Sequence, residues 1–217
     1  MPRPRRLPRS FFHRSTLLVA RELLGQRLVR LDRGRRLSGW IIEAEAYIGQ
    51  ADLACHAHSG RTERNRVMWG EPGRAYVYFT YGMHWCLNVV TEANGRPAAV
   101  LLRALAPSEG VATMRRRRAL RLRGLAAKNS GDPLRSGLTD GPAKLCQAMD
   151  VDRAFNGHDL CSPQARLFIE RASAPPRRAV VRGPRVGLEN VPEPWKSRPW
   201  RFRLSPGYVP LLEEENA

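Results

Sequence analysis

The sequence lacks the motifs with which proteins most often bind nucleotide cofactors or catalytic metals. It has no Gly-rich phosphate loop, no G-x-G-x-x-G after a predicted strand, no H-E-x-x-H and no zinc-deaminase signature. The run from Cys55 to His58 holds three ligand-type side chains, but positions this close do not complete a tetrahedral shell without distant partners. We therefore expect no metal and no cofactor.

Cysteines and long apolar runs are also scarce. The four cysteines are widely spaced and form no C-x-x-C pair, which excludes a zinc ribbon and a dense disulfide framework. No run approaches the roughly 20 apolar residues of a membrane helix, and none follows a charged stretch as in a secretory signal. We expect no membrane partner and a reducing compartment: the cytoplasm of a bacterium, with action at the nucleoid, or a eukaryotic nucleus.

Acidic residues are few beside basic ones. The chain has 20 Asp and Glu against 37 Lys and Arg, which gives a formal net charge of +17 at pH 7. Such an excess favours a polyanionic partner, with nucleic acid the leading candidate. Nearly all of the basic residues are arginine, whose planar guanidinium forks onto phosphate and stacks on bases.

The termini differ in composition from the rest of the chain. Residues 1–14 are rich in Pro and Arg and contain no acid, which predicts a disordered basic arm. Residues 211–217 form an acidic tail. No linker or repeat divides the segment between them, so residues 15–210 are predicted to form one domain.

Three segments carry helical signals. Residues 15–25 have apolar side chains at helical spacing, with Ser15 as a candidate N-cap. A very basic helix is predicted over 108–124. A shorter helix begins at residue 140 or 141, with Pro142 in its first turn, where a missing N–H costs nothing.

Alternating apolar and charged residues predict adjacent antiparallel strands. Two of them meet at a turn at Arg33–Gly34, and the aromatic segment 75–90 forms a hairpin with its turn near Tyr81–Gly82. A further strand through 100–103 follows the two strands of this hairpin. Residues 50–74, before the hairpin, are predicted to form a long loop. Short strands are predicted in the C-terminal part, at "ARLFIE", "RAVV" and "PWRFRL". The fold class is therefore α+β: a single mixed domain with a predominantly antiparallel sheet, flanking helices and a protruding β-hairpin.

Two carboxylates and an aromatic ring share one face of the strand after Gly34. Period-two geometry puts Ile41, Glu43, Glu45 and Tyr47 on that face and Trp40, Ile42, Ala44 and Ala46 on the other. A lone carboxylate in a strand is usually exposed to solvent, and Glu43 fits that interpretation. Glu45 beside Tyr47 is the arrangement needed to activate water against a base or sugar held by stacking.

The aromatic hairpin has two interpretations. Tyr76, Tyr78 and Phe79 could be half-buried sheet residues, a position that tyrosine favours. Tyr81 does not fit this interpretation, because neither face of the sheet can readily bury a ring beside the turn glycine Gly82. Proteins that kink DNA insert such wedges between base steps.

These residues carry a resemblance to a known family. In order and spacing, the chain resembles the alkyladenine DNA glycosylases, also called methylpurine or 3-methyladenine DNA glycosylases, from about Leu17 to Phe202. The matching segments are "EAEAYIG", "ACHAHSGRTERN", "YVYFTYGMHWCLNVV", "AAVLLRALAPSEG", "GPAKLCQAM", "GPRVG" and "PWRF". The resemblance implies a monofunctional base-excision repair enzyme without a cofactor. It would act on double-stranded DNA as a monomer, flip an alkylated or deaminated purine out of the duplex, hydrolyse its N-glycosidic bond and leave an abasic site.

The resemblance also implies the residues that carry out the reaction. Glu45 would be the catalytic base that activates water, and Arg103 and the backbone carbonyl of Val186 would hold that water. The substrate-binding residues would be those that stack on the flipped base (Tyr47, Tyr78 and His56) and one that crowds the 2-amino group of undamaged guanine (Asn88). His56 would also read the purine edge through its backbone N–H.

DNA contacts complete the expected site. By the same resemblance, Tyr81 would fill the space that the flipped base vacates. The charge of the basic helix predicts that its arginines, Arg115 and Arg116 among them, contact phosphates together with the arm, giving salt-sensitive affinity.

Two alternatives stay open at this point. A bifunctional glycosylase/lyase needs an amine nucleophile, and only Lys128, Lys144 and Lys196 are available, none placed beside Glu45 by a motif. A non-enzymatic nucleic-acid-binding protein would use the same rings and charge, with Glu45 as a surface carboxylate.

Overall fold

The computed structural model describes residues 6–122, 137–172 and 174–209. Its strands are β1 (Arg27–Asp32), β2 (Arg35–Ile48), β3 (Ala75–Thr80), β4 (His84–Val90), β5 (Ala98–Glu109), β6 (Leu167–Glu170), β7 (Val180–Gly183) and β8 (Arg201–Leu204). Its helices are α1 (Arg9–Phe12), α2 (Thr16–Glu22), α3 (Val111–Leu122) and α4 (Pro142–Met149), with 3-10 turns at Arg66–Trp69, Arg153–Phe155 and Arg177–Ala179. None of these helices combines the length and apolar character that a bilayer crossing requires.

The strands form one sheet with antiparallel pairing in the order β3-β4-β5-β2-β1-β6, and β8 joins it beside β2 with β7 outside β8. The predicted α+β class with a predominantly antiparallel sheet is confirmed. Strand β2 is central, because β5 pairs along one of its edges while β1 and then β8 share the other. β1 pairs with Arg35–Trp40 and β8 with Glu43–Glu45, so the sheet branches at this point of β2.

A bulge at the branch point changes the predicted faces of β2. The register with β5 shifts between Ile41 and Glu43 and again between Glu43 and Ala44. Because each bulge adds an unpaired residue, strict alternation fails there. Ile41 is fully buried in the core with Ala44, whereas alternation predicts it on the face of Glu43. From Glu43 to the end of the strand the predicted faces are confirmed.

Both predicted hairpin turns are confirmed. Arg33 and Gly34 join β1 to β2 with φ of 48° and 76°, and Tyr81 and Gly82 stand between β3 and β4 with φ of 51° and 66°. In the two-residue turn Arg33–Gly34, positive φ at both residues matches the right-handed twist of the flanking strands, which is why Gly is favoured there. The β3–β4 turn has a third residue, Met83, before His84 pairs with Thr80.

The helices pack on the sheet with some departures from expectation. Helix α2 is confirmed with Ser15 at its N-cap position, but the Ser15 side chain makes no capping bond. Glu92 accepts instead from the Thr16 N–H (3.3 Å) and hydroxyl (2.6 Å). Helix α3 begins at Val111 instead of residue 108, because β5 continues to Glu109 to pair with β2. Its predicted end at residue 124 lies outside the described residues.

The N-terminal segment also differs from expectation. Leu7, Phe11 and Phe12 are buried in the main core, the two rings on α1, so residues 7–12 are part of the packed domain and not a disordered arm. The composition of residues 1–14 signals charge, but it does not show that the Phe11–Phe12 pair has a place in the core. Residues 1–5 and the tail 211–217 lie outside the described residues.

Two glycines allow a test of the packing around β2. Gly110 follows β5 with φ of 71°, and a Cβ there would lie 2.8 Å from Leu37 Cγ and 2.9 Å from the Arg36 carbonyl oxygen. Gly34 has φ of 76° and no atom within 4 Å of such a Cβ. We predict that Gly110→Ala lowers the free energy of unfolding by about 3 kcal/mol, and Gly34→Ala by about 1 kcal/mol. Urea unfolding followed by circular dichroism measures both, and equal losses would contradict the crowding at Gly110.

Candidate active site

A cavity of about 250 Å³ lies against β2, the β3–β4 hairpin and two loops, 54–68 and 186–188. Its lining is rich in aromatic rings, including Tyr47, His56, Tyr76, Tyr78 and Tyr81. The volume is below the range of roughly 300–1,000 Å³ for drug-sized ligands. The cavity therefore suits a single flat ring system.

Glu45 lies directly behind this lining and is fully buried. Its Oε1 accepts the Val186 backbone N–H at 2.8 Å, and its Oε2 accepts the Tyr47 hydroxyl at 2.9 Å and Arg103 Nη1 at 3.3 Å. Tyr47, Arg103 and Val186 all line the cavity. The carboxylate is thus separated from the cavity by the groups that bind it.

Arg103 connects the two carboxylates of β2. Its Nε donates to Glu43 Oε1 at 3.0 Å while Nη1 donates to Glu45, and Arg201 Nη1 lies 3.6 Å from the same Glu43 oxygen. The shared face predicted for Glu43, Glu45 and Tyr47 is confirmed by these contacts. Glu43 is part of the ionic cluster and is not a free surface carboxylate.

Burial controls the protonation of this cluster. It raises the pKa of Glu45, although Arg103, the Val186 N–H and the Tyr47 hydroxyl act in the opposite direction. Burial and the Glu45 charge together raise the pKa of Tyr47 well above its usual value. Tyr47 therefore stays a neutral donor to Glu45 at all physiological pH values.

His56 and Tyr78 form one surface of the cavity. Their rings meet edge to face, with centroids 4.5 Å apart and planes at 79°. His56 Nδ1 is 2.9 Å from the Tyr76 hydroxyl, and the Asn65 side-chain amide donates to the His56 carbonyl at 2.8 Å. Burial, with a smaller contribution from Arg64, lowers the pKa of His56 to about 4, so the imidazole is neutral at pH 7.

The remaining predicted pocket residues also lie at the cavity. Asn88 is buried on β4 opposite Tyr76, and its Nδ2 donates to the Tyr76 carbonyl at 3.1 Å. Tyr81, at the rim, is 83% exposed at the tip of the hairpin. Trp85 packs on Phe79, with ring centroids 4.7 Å apart, on the side of the hairpin that does not face this cavity.

Arg115 and Arg116 do not lie at the cavity. Both are exposed on α3, whose first turn lies beside Arg36 and Leu37 at the beginning of β2. The cavity is near Tyr47, ten residues further along that strand, which corresponds to on the order of 30 Å. The structure brings together all predicted catalytic and substrate-binding residues but not these two arginines.

Several site residues were not found by sequence reasoning. Tyr76 holds His56, and the spacing of Tyr76 and Tyr78 along β3 was a usable signal for it. Asp52 and Arg185 form a buried ion pair behind the cavity, and no local pattern could connect two residues so distant in sequence. Among the described residues no group of three or more His, Cys, Asp or Glu could hold a metal ion.

Comparison with known proteins gives a consistent similarity. The Methylpurine-DNA glycosylase (MPG) family matches residues 10–206. A protein of Methanocella arvoryzae is 48% identical over 196 residues, which is 90% of this chain and 90% of its own. A protein of Myxococcus xanthus is 46% identical over 196 residues (90% and 88%), and one of Desulfitobacterium hafniense 44% identical over 205 residues (92% and 95%). Each of the three is named "Putative 3-methyladenine DNA glycosylase".

The buried carboxylate makes stability depend on pH in a defined direction. Because the pKa of Glu45 is raised in the folded protein, the folded state binds more protons than the unfolded state between the ordinary and the raised pKa. The wild-type free energy of unfolding, taken relative to Glu45→Gln, should therefore fall as the pH rises through that window. Urea unfolding of both proteins between pH 4 and pH 8 measures this difference. Glu43→Gln controls for the lost Arg103 contact, and a difference that rises with pH would contradict the raised pKa.

Proposed function

The chain belongs to the methylpurine-DNA glycosylase family, and from this premise we propose that it excises 3-methyladenine and related alkylated or deaminated purines from double-stranded DNA. It acts as a monomer and hydrolyses the N-glycosidic bond, leaving an abasic site. The observation that carries the proposal is the buried Glu45 carboxylate, bound by Tyr47, Arg103 and the Val186 N–H behind a cavity that suits one flat base.

Glu45 is the proposed catalytic base. Cleavage of the N-glycosidic bond develops an oxocarbenium-like sugar, which a nearby carboxylate stabilises while it directs water onto the face opposite the departing purine. Arg103 favours the charged form of Glu45 and so maintains a base despite burial. In the free protein three donors occupy the carboxylate, two of them on Oε2 and one on Oε1. A carboxylate has about four acceptor sites, so Oε1 keeps one site for the water. The backbone carbonyl of Val186 and Arg103 are the proposed partners that then hold the water.

The aromatic lining is the proposed base-binding site. Tyr47 stacks on one side of the flipped base, and the His56–Tyr78 surface supports the other side. The His56 backbone N–H is proposed to read the purine edge, and Asn65 holds the following peptide group through the His56 carbonyl. Asn88 is buried and held by the Tyr76 carbonyl, so its side chain cannot easily move away from the 2-amino group of an undamaged guanine.

DNA binding is proposed to depend on the hairpin tip and on charge. Tyr81 is exposed at the hairpin turn, where its φ is 51°, and it fills the gap left by the flipped nucleotide. Arg115 and Arg116 contact phosphates at a distance from the flipped base, since α3 lies at the opposite end of β2.

The structural setting of the amines and of Glu45 bears on the two alternatives. Lys144 lies on α4, two residues from the cavity residue Pro142, with its Nζ 2.8 Å from Asp140. Lys196 lies in the loop 184–200 and is exposed, and Lys128 is outside the described residues. We propose a monofunctional enzyme, for which borohydride should trap no protein on cleaved DNA. The burial of Glu45 opposes its interpretation as a surface carboxylate of a non-enzymatic binding protein.

Replacement of Glu45 tests the proposed reaction. We predict that Glu45→Gln lowers the single-turnover rate of base release by at least about 100-fold, while duplex affinity changes by less than about threefold. The wild-type rate should rise with pH through the raised pKa of Glu45, because only the carboxylate accepts a proton. Base release from duplexes with 7-methylguanine, hypoxanthine or ethenoadenine measures the rate, and gel shift measures the affinity. Glu43→Gln is the matched control on the same strand and the same arginine, and wild-type rates in Glu45→Gln would exclude Glu45 as the base.

Replacement of Tyr81 tests the proposed wedge. Tyr81→Ala should weaken binding and base release by about tenfold for a lesion in a fully paired duplex, because a stacked ring is worth about 1–3 kcal/mol. The loss should be smaller for the same lesion in a mismatch, where less stacking has to be replaced. The control is Leu120→Ala, which removes an exposed apolar side chain elsewhere, on α3. Equal losses in paired and mismatched duplexes would contradict a wedge.

A further inference from the structure

A fully buried ion pair stands behind the cavity. Asp52 and Arg185 are both 0% exposed at their side chains, and their contact is bidentate: Arg185 Nη1 lies 2.5 Å from Asp52 Oδ2 and Nη2 lies 2.8 Å from Oδ1. Neither residue is among those that line the cavity. The pair therefore does not meet the ligand directly.

Asp52 fixes the turn between two walls of the cavity. Its carboxylate accepts the backbone N–H of Ile48 at 3.1 Å and that of Ala54 at 3.1 Å, and its carbonyl accepts the Cys55 N–H at 2.8 Å. Tyr47 immediately precedes this turn and His56 immediately follows it. Both ring-bearing residues thus depend on the position of one carboxylate.

Arg185 fixes a second segment against the same point. Its Nη1 donates to the Ala46 carbonyl at 3.0 Å and its Nη2 to the Trp195 carbonyl at 3.3 Å. The Arg185 guanidinium also lies over two rings, 4.7 Å from the centroid of Tyr47 and 5.0 Å from that of Trp200. The next backbone N–H in the chain, that of Val186, donates to Glu45. The segment 184–200 contains no helix or strand, so its register depends on side-chain contacts as well as on scattered backbone hydrogen bonds.

Stability alone does not account for the pair. Taking two charges out of water costs about as much as their attraction returns, and a well-packed apolar pair in the same space is often as stable or more stable. A buried ion pair is favoured where geometry matters. Here a planar guanidinium meets two carboxylate oxygens, two carbonyls and two ring faces at once, which a lysine ammonium cannot do.

We propose that Asp52 and Arg185 are positioning residues for base excision: together they aim the Val186 N–H at Glu45 and hold Tyr47 and the His56 turn in register. They act through these groups and not on the substrate. The inference rests on the proposed function for its kinetic consequences, while the positioning itself can be measured in the free protein.

Arg185→Lys is the sharpest test, because it keeps the charge that Asp52 needs and removes only the planar fork. We expect the single-turnover rate of base release to fall by at least about tenfold with lesion-duplex affinity within about threefold of wild type. The acid limb of the rate profile should move up by about one pH unit, since the Val186 N–H no longer stabilises the Glu45 carboxylate. Amide hydrogen exchange of the free protein should become faster in peptides covering 47–56 and 184–188.

The matched control is Arg36→Lys. Arg36 forks onto Glu170 at 3.1 and 2.6 Å and contacts Glu109 at 2.7 Å, near the opposite end of the same strand β2. This variant should lose stability but keep the wild-type rate and acid limb. If Arg36→Lys shifts the acid limb as Arg185→Lys does, the effect is a general loss of stability and the proposal is overturned.

Asp52→Asn is the second variant, should Arg185→Lys fail to unfold cooperatively. It keeps the shape of the turn residue, and we expect the same fall in rate and the same local hydrogen exchange. The proposal is overturned if a folded variant keeps the wild-type rate of base release and the wild-type acid limb, or if its amide exchange at 184–188 is unchanged. Failure of both variants to fold would also overturn it, because the pair would then serve stability. If the wild-type protein releases no base from any lesion duplex, the proposed function fails, and the exchange data still decide the positioning.

Discussion

The structure depends on the burial of one charged group. Glu45 is removed from water, which by itself would leave it protonated, and Arg103 with two hydrogen-bond donors favours the charged form. These partners come from different parts of the chain: Arg103 from β5, Tyr47 from β2 and Val186 from the loop before β8. A sheet register or loop position that displaced any of them would leave a buried charge uncompensated, which is among the most costly errors in a protein interior.

The topology of the sheet explains why this point can be so crowded. β2 is paired with β5 along one edge, and its second edge changes partner from β1 to β8 at the bulge near Ile41. Beyond the three residues paired with β8, the Ala46 N–H bonds to the Trp200 carbonyl at 2.9 Å. The loop that ends at Trp200 can therefore lie against the last residues of β2. The site forms where the regular sheet ends and loops take over its hydrogen bonds, which is a common position for functional groups.

Local signals in the sequence predicted the parts of this arrangement that depend on neighbours along the chain. The positive-φ turns at Arg33–Gly34 and Tyr81–Gly82 and the shared face of Glu43, Glu45 and Tyr47 follow from glycine chemistry and from period two. The bulge that buries Ile41 and the extension of β5 to Glu109 result from pairing between strands, which no window of sequence contains. For the same reason the ion pair behind the cavity could not be predicted.

The proposed roles of the site residues came only from resemblance to a family, and the contacts of these residues give a physical basis for the proposal. Composition and spacing alone could not distinguish Glu43 from Glu45 as the base. In the structure Glu43 shares its oxygen with two arginines and stays partly exposed, whereas Glu45 is fully buried and bound by three donors. The more buried carboxylate has the raised pKa, and a base is more effective as its pKa approaches the working pH.

The lining of the cavity fits the proposed substrate class by its charge state as well as by its shape. Burial keeps His56 neutral, with a pKa of about 4, and keeps the phenols of Tyr47 and Tyr78 protonated. Arg103 lines the cavity, and its positive charge is paired with Glu43 and Glu45. An alkylated purine that carries positive charge therefore contacts ring faces, whose quadrupoles attract cations. None of the lining groups named here repels it with an unpaired positive charge. A neutral undamaged base gains only stacking from the same rings, so under the proposed function this charge state of the lining would favour damaged bases that carry positive charge.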